Sequence, residues 1–260
     1  MSIGFILTIL GAAFIGSFMS GMLGIGGAIV NYPLLLFVPK LLGFEGFTAH
    51  EVSVIVAIQV FFSTLTGVIS YSKGGFVNQK LMFSMGLFTL IGGFIGGYTS
   101  SNMSNDTINL VYGVLALLAV ILMLVPRPDR EMGISGADLE YSRILASILS
   151  LIIGVGAGIV GAGGAFLLVP VMITILKIPT RITIATSLGI TFLSSIGTTT
   201  GKLLTGDVLW GPVIVVIIVS VIAAPMGARV SARTNTKYLQ IFLAIVIIAT
   251  ALNIWTDILF

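Results

Sequence analysis

The sequence predicts an all-α integral membrane protein, an inverted 5+5 repeat of transmembrane and half-length helices in which each half opens with a Gly-broken helical hairpin. Its composition, a duplicated glycine motif and the placement of its basic residues predict this fold. Of the 260 residues, 57% are hydrophobic and only 8% are charged. A soluble domain carries about 25% charged residues. The chain therefore cannot cover a water-facing surface, and we expect the lipid bilayer to surround it.

Uncharged stretches long enough to cross a membrane recur along the chain. A helix of about 20 apolar residues spans the roughly 30 Å of hydrocarbon. The stretches lack the alternation of a barrel strand, so we expect helices to satisfy their backbone in lipid. The uncharged runs are 1–39, 52–72, 81–105, 107–126, 144–176, 182–201, 208–228 and 238–256.

A glycine motif occurs twice in the chain, 137 residues apart. The stretches "GMLGIGGAIVNYP" from Gly21 and "GIVGAGGAFLLVP" from Gly158 agree at six of thirteen positions. Further along, "SVIVAIQVFFSTLTG" (53–67) aligns with "SLGITFLSSIGTTTG" (187–201) at an offset of 134. We therefore predict a first transmembrane repeat at 1–126, a linker at 127–143 and a second, inverted transmembrane repeat at 144–260.

The basic residues indicate how the two halves are oriented. If each Gly-broken segment returns to the side from which it enters, ten of the twelve Lys and Arg residues lie on one side. If each segment crosses once, they divide six against six. The positive-inside rule favours the first arrangement. It predicts halves of opposite topology, a cytoplasmic linker and extracytoplasmic termini in a multi-pass protein of the cell (inner) membrane.

The Gly-broken segments are too short for two complete spans. The second has 33 uncharged residues at 144–176, whereas two spans need about 40. We predict that each is a pair of helices, at least one of them short, joined at its glycine motif within the membrane. Whether the pair spans fully or re-enters stays open.

The glycine motifs are candidates for a binding site. Non-helical backbone at membrane depth is tolerated where protein buries it or where it lines a wet cavity. Two helices that restart there from opposite faces would bring their N-termini together and form an anion site. The alternative is that these glycines only allow close helix packing, which we prefer for "GGFIGG" (92–97). The candidate binding glycines are Gly24, Gly26, Gly27, Gly161, Gly163 and Gly164.

Polar side chains within the apolar runs are further candidates for substrate binding. Any one hydroxyl can bond back to its own helix without a function. Four of them, however, follow the spacing i, i+4, i+7, i+11, which places them on one helical face. The candidates are Ser53 and Gln59 in the first half and Ser187, Thr191, Ser194 and Thr198 in the second.

Three charged or titratable residues near the membrane segments are candidates for coupling or gating. His50 and Glu51 form the one acid–base pair at the start of a span, where Glu51 either complements the helix dipole or takes part in proton coupling. Lys202 lies on the predicted extracytoplasmic side, where it either gathers anions or extends to the interface. The two Trp and the Tyr residues are expected to be interfacial anchors.

Several classes of site are excluded by composition. The chain has no Cys and a single His, so we expect no disulfide, no metal centre and no cofactor. The net charge of +3 comes from loop anchors, and we expect no nucleic-acid partner. A membrane enzyme would need a nucleophile with a base or a metal cluster, so we expect no catalytic residues. The oligomeric state is left open.

The paired motifs resemble the TauE/SafE family of sulfite and organosulfonate exporters. The resemblance rests on "GMLGIGGAIVNYPLLL", "GVGAGIVGAGGAFLLVPVM", "ATSLGITFLSSIGTTTG" (185–201) and "GDVLW" (206–210). The first half departs from it at "HEVS" (50–53), where Glu51 stands opposite Ala185. The resemblance implies a transporter of small sulfur-containing anions. Alternatives are a transporter of another metabolite or a cation, a membrane enzyme and a non-transporting assembly factor.

Overall fold

The computed structural model describes most of the chain. The described residues are 2–23, 28–72, 77–124, 141–205 and 208–234, together with 238, 241, 245, 248–249, 252 and 255–256. The first glycine motif (24–27) and nearly all of the predicted linker lie outside them. So does most of the last predicted span, 238–256.

The described residues fold into helices, with no strand among them, as the sequence predicts. Nine α-helices and one 3₁₀ turn, Ser100–Asn102, are present in these ranges. The α-helices are α1 Ile3–Leu23, α2 Ala28–Leu41, α3 Ala49–Ser72, α4 Gln79–Thr99, α5 Asn105–Leu124, α6 Arg143–Val160, α7 Ala165–Thr174, α8 Thr180–Thr205 and α9 Trp210–Arg233.

Seven of the described helices are long and apolar enough to cross a membrane. They are α1, α3, α4, α5, α6, α8 and α9, whereas α2 and α7 are shorter apolar helices. Each short helix follows a long one, α2 after α1 and α7 after α6. The predicted pairing of a long with a short helix in each Gly-broken segment is therefore confirmed.

Two helices form the centre of the bundle. α3 and α8 are the most deeply buried of the spanning helices, and α5 is the least buried. α3 packs against α8, α9, α2 and α1. The duplicated sequence stretches 53–67 and 187–201 lie in α3 and α8. The repeat thus supplies one central helix from each half of the chain.

The outer helices pack across the two halves. α1 packs mainly against α9, and α6 mainly against α4. Small residues allow the approach: a Cβ atom added at Gly92 or Gly96 of α4 would overlap backbone atoms of Leu151 and Val155 in α6. On the other side of α4, Cβ atoms at Gly93 and Gly97 would meet α8. The packing role predicted for "GGFIGG" is confirmed.

Candidate functional site

The second glycine motif forms a buried, non-helical link between α6 and α7. α6 ends at Val160, and the φ angles of Gly161, Gly163 and Gly164 are 84°, 64° and 83°. This left-handed region is open to glycine and costly for residues with a Cβ atom. The four residues 161–164 are buried. The motif is therefore required for the chain to reverse inside the protein.

The break lies beside the midpoints of the two central helices. A Cβ atom on Gly163 would lie 2.7 Å from Cγ1 of Val60 and 2.9 Å from Cγ2 of Thr191. Val60 is the twelfth of 24 residues in α3, and Thr191 is the twelfth of 26 in α8. Gly163 is thus packed tightly at half the height of both spans.

The first turns of α2 and α7 meet at one side chain, Tyr112 of α5. Its hydroxyl donates to the carbonyl oxygen of Ile29 at 2.6 Å, and its ring stacks on that of Phe166 with centroids 6.3 Å apart. Ile29 is the second residue of α2, and Phe166 is the second residue of α7. The first turns of the two short helices therefore contact the same tyrosine.

Proline explains why Tyr112 is needed at this place. Pro33 in α2 has no N–H to donate to Ile29, four residues earlier, and the Tyr112 hydroxyl binds that carbonyl instead. The Tyr112 ring also stacks on Tyr32, with centroids 4.6 Å apart. Both tyrosines are fully buried. The expectation that the tyrosines are interfacial anchors is wrong for these two, because hydrogen bonds and stacking hold them in the core.

No side chain caps the start of α7, where the N–H groups of Leu167 and Leu168 bond to the carbonyl of Gly164. Gly164 precedes α7 and supplies no side chain to cap it. The first N–H groups of any α-helix have no partner within that helix, and the helix dipole places partial positive charge there. Since α2 begins beside the same tyrosine, two positive helix ends lie near one another in the interior.

The predicted hydroxyl face of α8 is completely buried, but its members point to different neighbours. Thr191 turns its methyl group toward Gly163 and donates its hydroxyl to the carbonyl of Ser187 at 2.7 Å. Ser194 donates to the carbonyl of Thr89 in α4 at 3.3 Å. Thr198 also faces α4, and its Oγ1 has no partner. Of the four, Thr191 is the one that contacts the glycine motif.

Lys202 is bound inside the protein at the ends of four elements. Its side chain is 2% exposed. The Nζ donates to Oγ of Ser53 and of Ser100 at 2.7 Å each and to the carbonyl of Ile159 at 2.8 Å. Three donors are matched by three acceptors, and a cation suits the C-terminal carbonyls of α6. Lys202 therefore neither extends to the interface nor offers a free N–H to an anion in this structure.

His50 and Glu51 make local contacts at the start of α3. The Glu51 carboxylate accepts from the backbone N–H and the hydroxyl of Thr48 at 2.7 and 3.0 Å, and the Glu51 N–H bonds to that hydroxyl. This is a capping box. His50 Nε2 lies 2.6 Å from the carbonyl of Met103, and since a carbonyl only accepts, Nε2 carries the proton. These contacts support the helix-start interpretation of Glu51.

Gln59 joins three helices in the middle of the bundle. Its Nε2 donates to Ser17 Oγ at 2.7 Å and to the carbonyl of Ala13 at 3.4 Å, both in α1. Ser17 in turn bonds to Ser220 of α9 at 2.8 Å. Close by, Asn31 of α2 is fully buried and neither polar atom of its amide has a partner. Sequence reasoning missed Asn31, although a lone Asn just after a glycine motif was a visible signal.

Nothing in the described part of the chain forms a metal site. No three His, Asp or Glu side chains come together there as ligands. The groups available to a ligand are instead backbone N–H groups, hydroxyls and amides. Such neutral donors can bind an anion without a buried countercharge and can also release it.

Comparison with known proteins places the chain among membrane transporters. A probable membrane transporter protein of Bacillus subtilis, YunE, is 24% identical over 260 residues, which cover 94% of each chain. A probable membrane transporter protein of Methanocaldococcus jannaschii is 23% identical, over 93% of this chain and 89% of its own. One from Xylella fastidiosa is 26% identical, over 72% and 70%. No solved structure matches the chain.

The family comparison covers almost the whole length. The model of the family described as "Sulfite exporter TauE/SafE" matches residues 9–254, which include both glycine motifs and every described helix except the first residues of α1. The resemblance predicted from the paired motifs is thereby confirmed, and the protein is a multi-pass membrane transporter. The chain belongs to the TauE/SafE sulfite exporter family.

Proposed function

We propose that this transporter moves small anions, namely sulfite, sulfonates or related organosulfur compounds. The anion binds near the membrane midplane, between the N-termini of α2 and α7. The observation that carries the proposal is the contact of Tyr112 with both Ile29 and Phe166. It places the positive ends of two helix dipoles beside one tyrosine, an arrangement that suits a negative ligand.

The glycines give an anion access to the backbone. The left-handed backbone of Gly161, Gly163 and Gly164 lets α7 begin inside the protein, where a ligand can approach the N–H groups that open this helix. We assign the same part to Gly24, Gly26 and Gly27 before α2, on the strength of the duplicated sequence. Of the four predicted hydroxyls of α8, that of Thr191 lies beside the glycine motif, and it would exchange its bond to Ser187 for one to the anion.

We further propose that transport proceeds by alternating access between inverted halves. In an inverted repeat, equivalent helices of the two halves pack in equivalent ways. The pairing of α1 with α9 and of α6 with α4 supports this. α1 and α6 open their halves, and "GGFIGG" (92–97) of α4 aligns with "AAPMGA" (223–228) of α9 at an offset of 131. For the orientation we propose the one that the basic residues indicate. The linker at 127–143 is cytoplasmic, and the termini are extracytoplasmic, in the inner membrane.

Lys202 is suited to hold the extracytoplasmic side closed. It joins Ser53 and Ser100 of the first half to Ile159 and its own helix in the second. In the proposed topology all these helix ends lie on the extracytoplasmic side. Opening that side would separate the four ends and break the three bonds. His50 and Glu51, one turn before Ser53, belong to the same group of helix ends and are our candidates for its control.

Transport by the purified protein tests the function. In proteoliposomes, radiolabelled sulfite should be taken up, an organosulfonate should compete, and radiolabelled rubidium should not be carried. Thr191→Val removes the hydroxyl at the glycine motif and should slow sulfite uptake severalfold. Thr200→Val is the matched control, since Thr200 also bonds back four residues, to Ile196 at 2.7 Å, but faces outward. Rubidium transport without sulfite transport would overturn the proposal.

A further inference from the structure

Two buried amides in the middle of the bundle have polar atoms without partners. Asn31 of α2 is 0% exposed, and both its Oδ1 and its Nδ2 are unpaired. Gln59 of α3 is 1% exposed, and its Oε1 is unpaired. A buried amide that makes no hydrogen bond costs free energy on folding. Such groups therefore call for a ligand or another reason to be kept.

Both amides lie against the same stretch of α1. The Nε2 of Gln59 donates to the carbonyl of Ala13 and to Oγ of Ser17. Between these two, a Cβ atom added to Gly16 would overlap the amide atoms of Asn31. Gly16 thus makes room for Asn31 on one turn of α1 while Gln59 is bound to the same turn. The two amides that carry the unpaired atoms therefore lie beside one turn of α1, Ala13 to Ser17.

The hydrogen bonds of the two amides determine which of their donor and acceptor groups stay unpaired. The carbonyl of Ala13 can only accept, so Gln59 must turn its N–H₂ group toward α1 and its acceptor Oε1 away from it. For Asn31, either orientation of the amide leaves one donor group and one acceptor unpaired. The region therefore offers one N–H₂ donor together with two carbonyl-type acceptors.

The fold itself does not require these amides. In the duplicated sequence, Asn31 corresponds to Leu168 at the offset of 137, and Gln59 corresponds to Leu193 at the offset of 134. Leu168 is fully buried in α7, so leucine fills the equivalent place in the other half. One half carries polar groups where the other carries apolar ones, as expected of a site that contacts an asymmetric ligand.

We infer that Asn31 and Gln59 form an amide subsite for an anion that carries a hydrogen-bond donor of its own. The inference rests on the proposed function and specifies its substrate. The Asn31 N–H₂ group donates to an anionic oxygen, and the two amide oxygens accept from an O–H or N–H of the ligand. A fully deprotonated oxyanion has only acceptors and would face both amide oxygens unpaired. The subsite thus selects hydrogen sulfite or an aminosulfonate over sulfate.

Competition between two inorganic anions tests the subsite. Uptake of radiolabelled sulfite is measured in proteoliposomes at a pH where hydrogen sulfite prevails, with unlabelled sulfite or sulfate added at equal ionic strength. Wild-type protein should be inhibited by sulfite at a concentration at least about tenfold lower than by sulfate, the effect of one charge-assisted hydrogen bond. Thermal unfolding of the detergent-purified protein with each anion gives a second readout that does not depend on transport.

Variants at the two positions should lose sulfite uptake and the stabilisation by sulfite. Asn31→Leu and Gln59→Leu introduce the residue that the other half carries, and Asn31→Asp keeps the size but replaces the donor by a negative charge. Ser150→Ala is the matched control, because Ser150 is also fully buried with an unpaired hydroxyl but belongs to α6, which packs mainly against α4. It should behave as wild type.

The outcomes separate the subsite from the transport function. Wild-type sulfite uptake and discrimination in folded Asn31 and Gln59 variants would overturn the subsite and leave sulfur-anion transport standing. Equal competition by sulfate would overturn the selection for a donor-bearing anion. A wild-type protein that neither carries sulfite nor is stabilised by it would refute the proposed substrate class, and the subsite with it.

Discussion

The ammonium group of Lys202 donates a 2.7 Å hydrogen bond to the hydroxyl of Ser53, 149 residues away in the sequence. The bond joins the end of α8 to the first turn of α3, the two central helices of the bundle. The Ser53 hydroxyl itself donates a hydrogen bond to the carbonyl of His50 at 2.7 Å, so its oxygen can accept the hydrogen bond from the lysine. A buried cation is thus satisfied by neutral groups at the ends of helices.

Removing this cation should open the extracytoplasmic side. Lys202→Met keeps the length of the side chain and loses its three hydrogen bonds. A cysteine placed at Thr191 in this cysteine-free chain should then react severalfold faster with a membrane-impermeant thiol reagent added outside intact cells. The matched control is Lys80→Met, because Lys80 is exposed. Equal labelling rates in the two backgrounds would show that Lys202 does not hold this side closed.

Tyr112 should be needed to hold the first turns of α2 and α7 in place. Tyr112→Phe retains both ring contacts but leaves the Ile29 carbonyl without the tyrosine hydroxyl, at a cost of about 1–3 kcal/mol in stability. Tyr112→Ala also removes the buried ring and should cost about 3–5 kcal/mol. We expect sulfite transport to fall in the same order. Thermal unfolding measures the stability of the variants, and uptake assays measure their sulfite transport. Tyr238→Phe is the control, because the Tyr238 side chain is exposed.

A tyrosine-to-phenylalanine variant with unchanged transport and stability would mean that ring stacking alone positions the start of α2. The hydrogen bond to Ile29 would then have no part in the site.

Side chains added at the glycine motif should abolish transport before they prevent insertion. At Gly163 even alanine is strained by the positive φ and meets Val60 and Thr191, which should cost about 1–3 kcal/mol. Gly163→Leu would push a larger side chain against these two neighbours, and we expect it to abolish transport, as we do of Gly26→Leu on the strength of the duplicated sequence. Gly11→Ala is the control, since a Cβ atom there meets nothing within 4 Å. Normal sulfite uptake by well-expressed Gly163→Leu protein would reduce the motif to a packing feature.

The orientation of the chain can be tested with two cysteines. A cysteine at Ser135, in the predicted cytoplasmic linker, should resist an impermeant thiol reagent in intact cells and react after the cells are lysed. A cysteine at Ser104, exposed between α4 and α5, should react from outside, because the proposed topology places that connection on the extracytoplasmic side. The reverse pattern would invert the proposed topology.

The sequence predicts the helices of this fold well because the signals are local. Uncharged runs of about 20 residues mark the spans, and glycines that break an apolar run mark the start of α7. It does not predict which polar side chains meet, since those contacts join distant parts of the chain. From the sequence, Lys202 either gathers anions or extends to the interface, and only the packing of four helix ends reveals its three acceptors.

Tyr112 is a second residue whose contacts the sequence does not predict. An isolated tyrosine in an apolar run usually marks the membrane interface, and nothing nearby in the sequence indicates the carbonyl freed by Pro33. The spacing along α8 predicts that four hydroxyls share one helical face, and all four are buried in the structure. That Ser194 and Thr198 turn to α4 depends on the glycines of another helix, which the spacing along α8 does not reveal.

The packing of outer helices against helices of the other half has a consequence for assembly. α1 packs mainly against α9, and α6 packs mainly against α4. Each half therefore depends on a helix of the other half to cover its buried surface. A polypeptide of 1–126 made alone would expose the glycine-lined face of α4 to lipid. Made together with a separate 144–260 fragment, it should be rescued, because each piece brings the helix that the other lacks. Folding of this membrane protein is therefore completed only after its second half has been inserted.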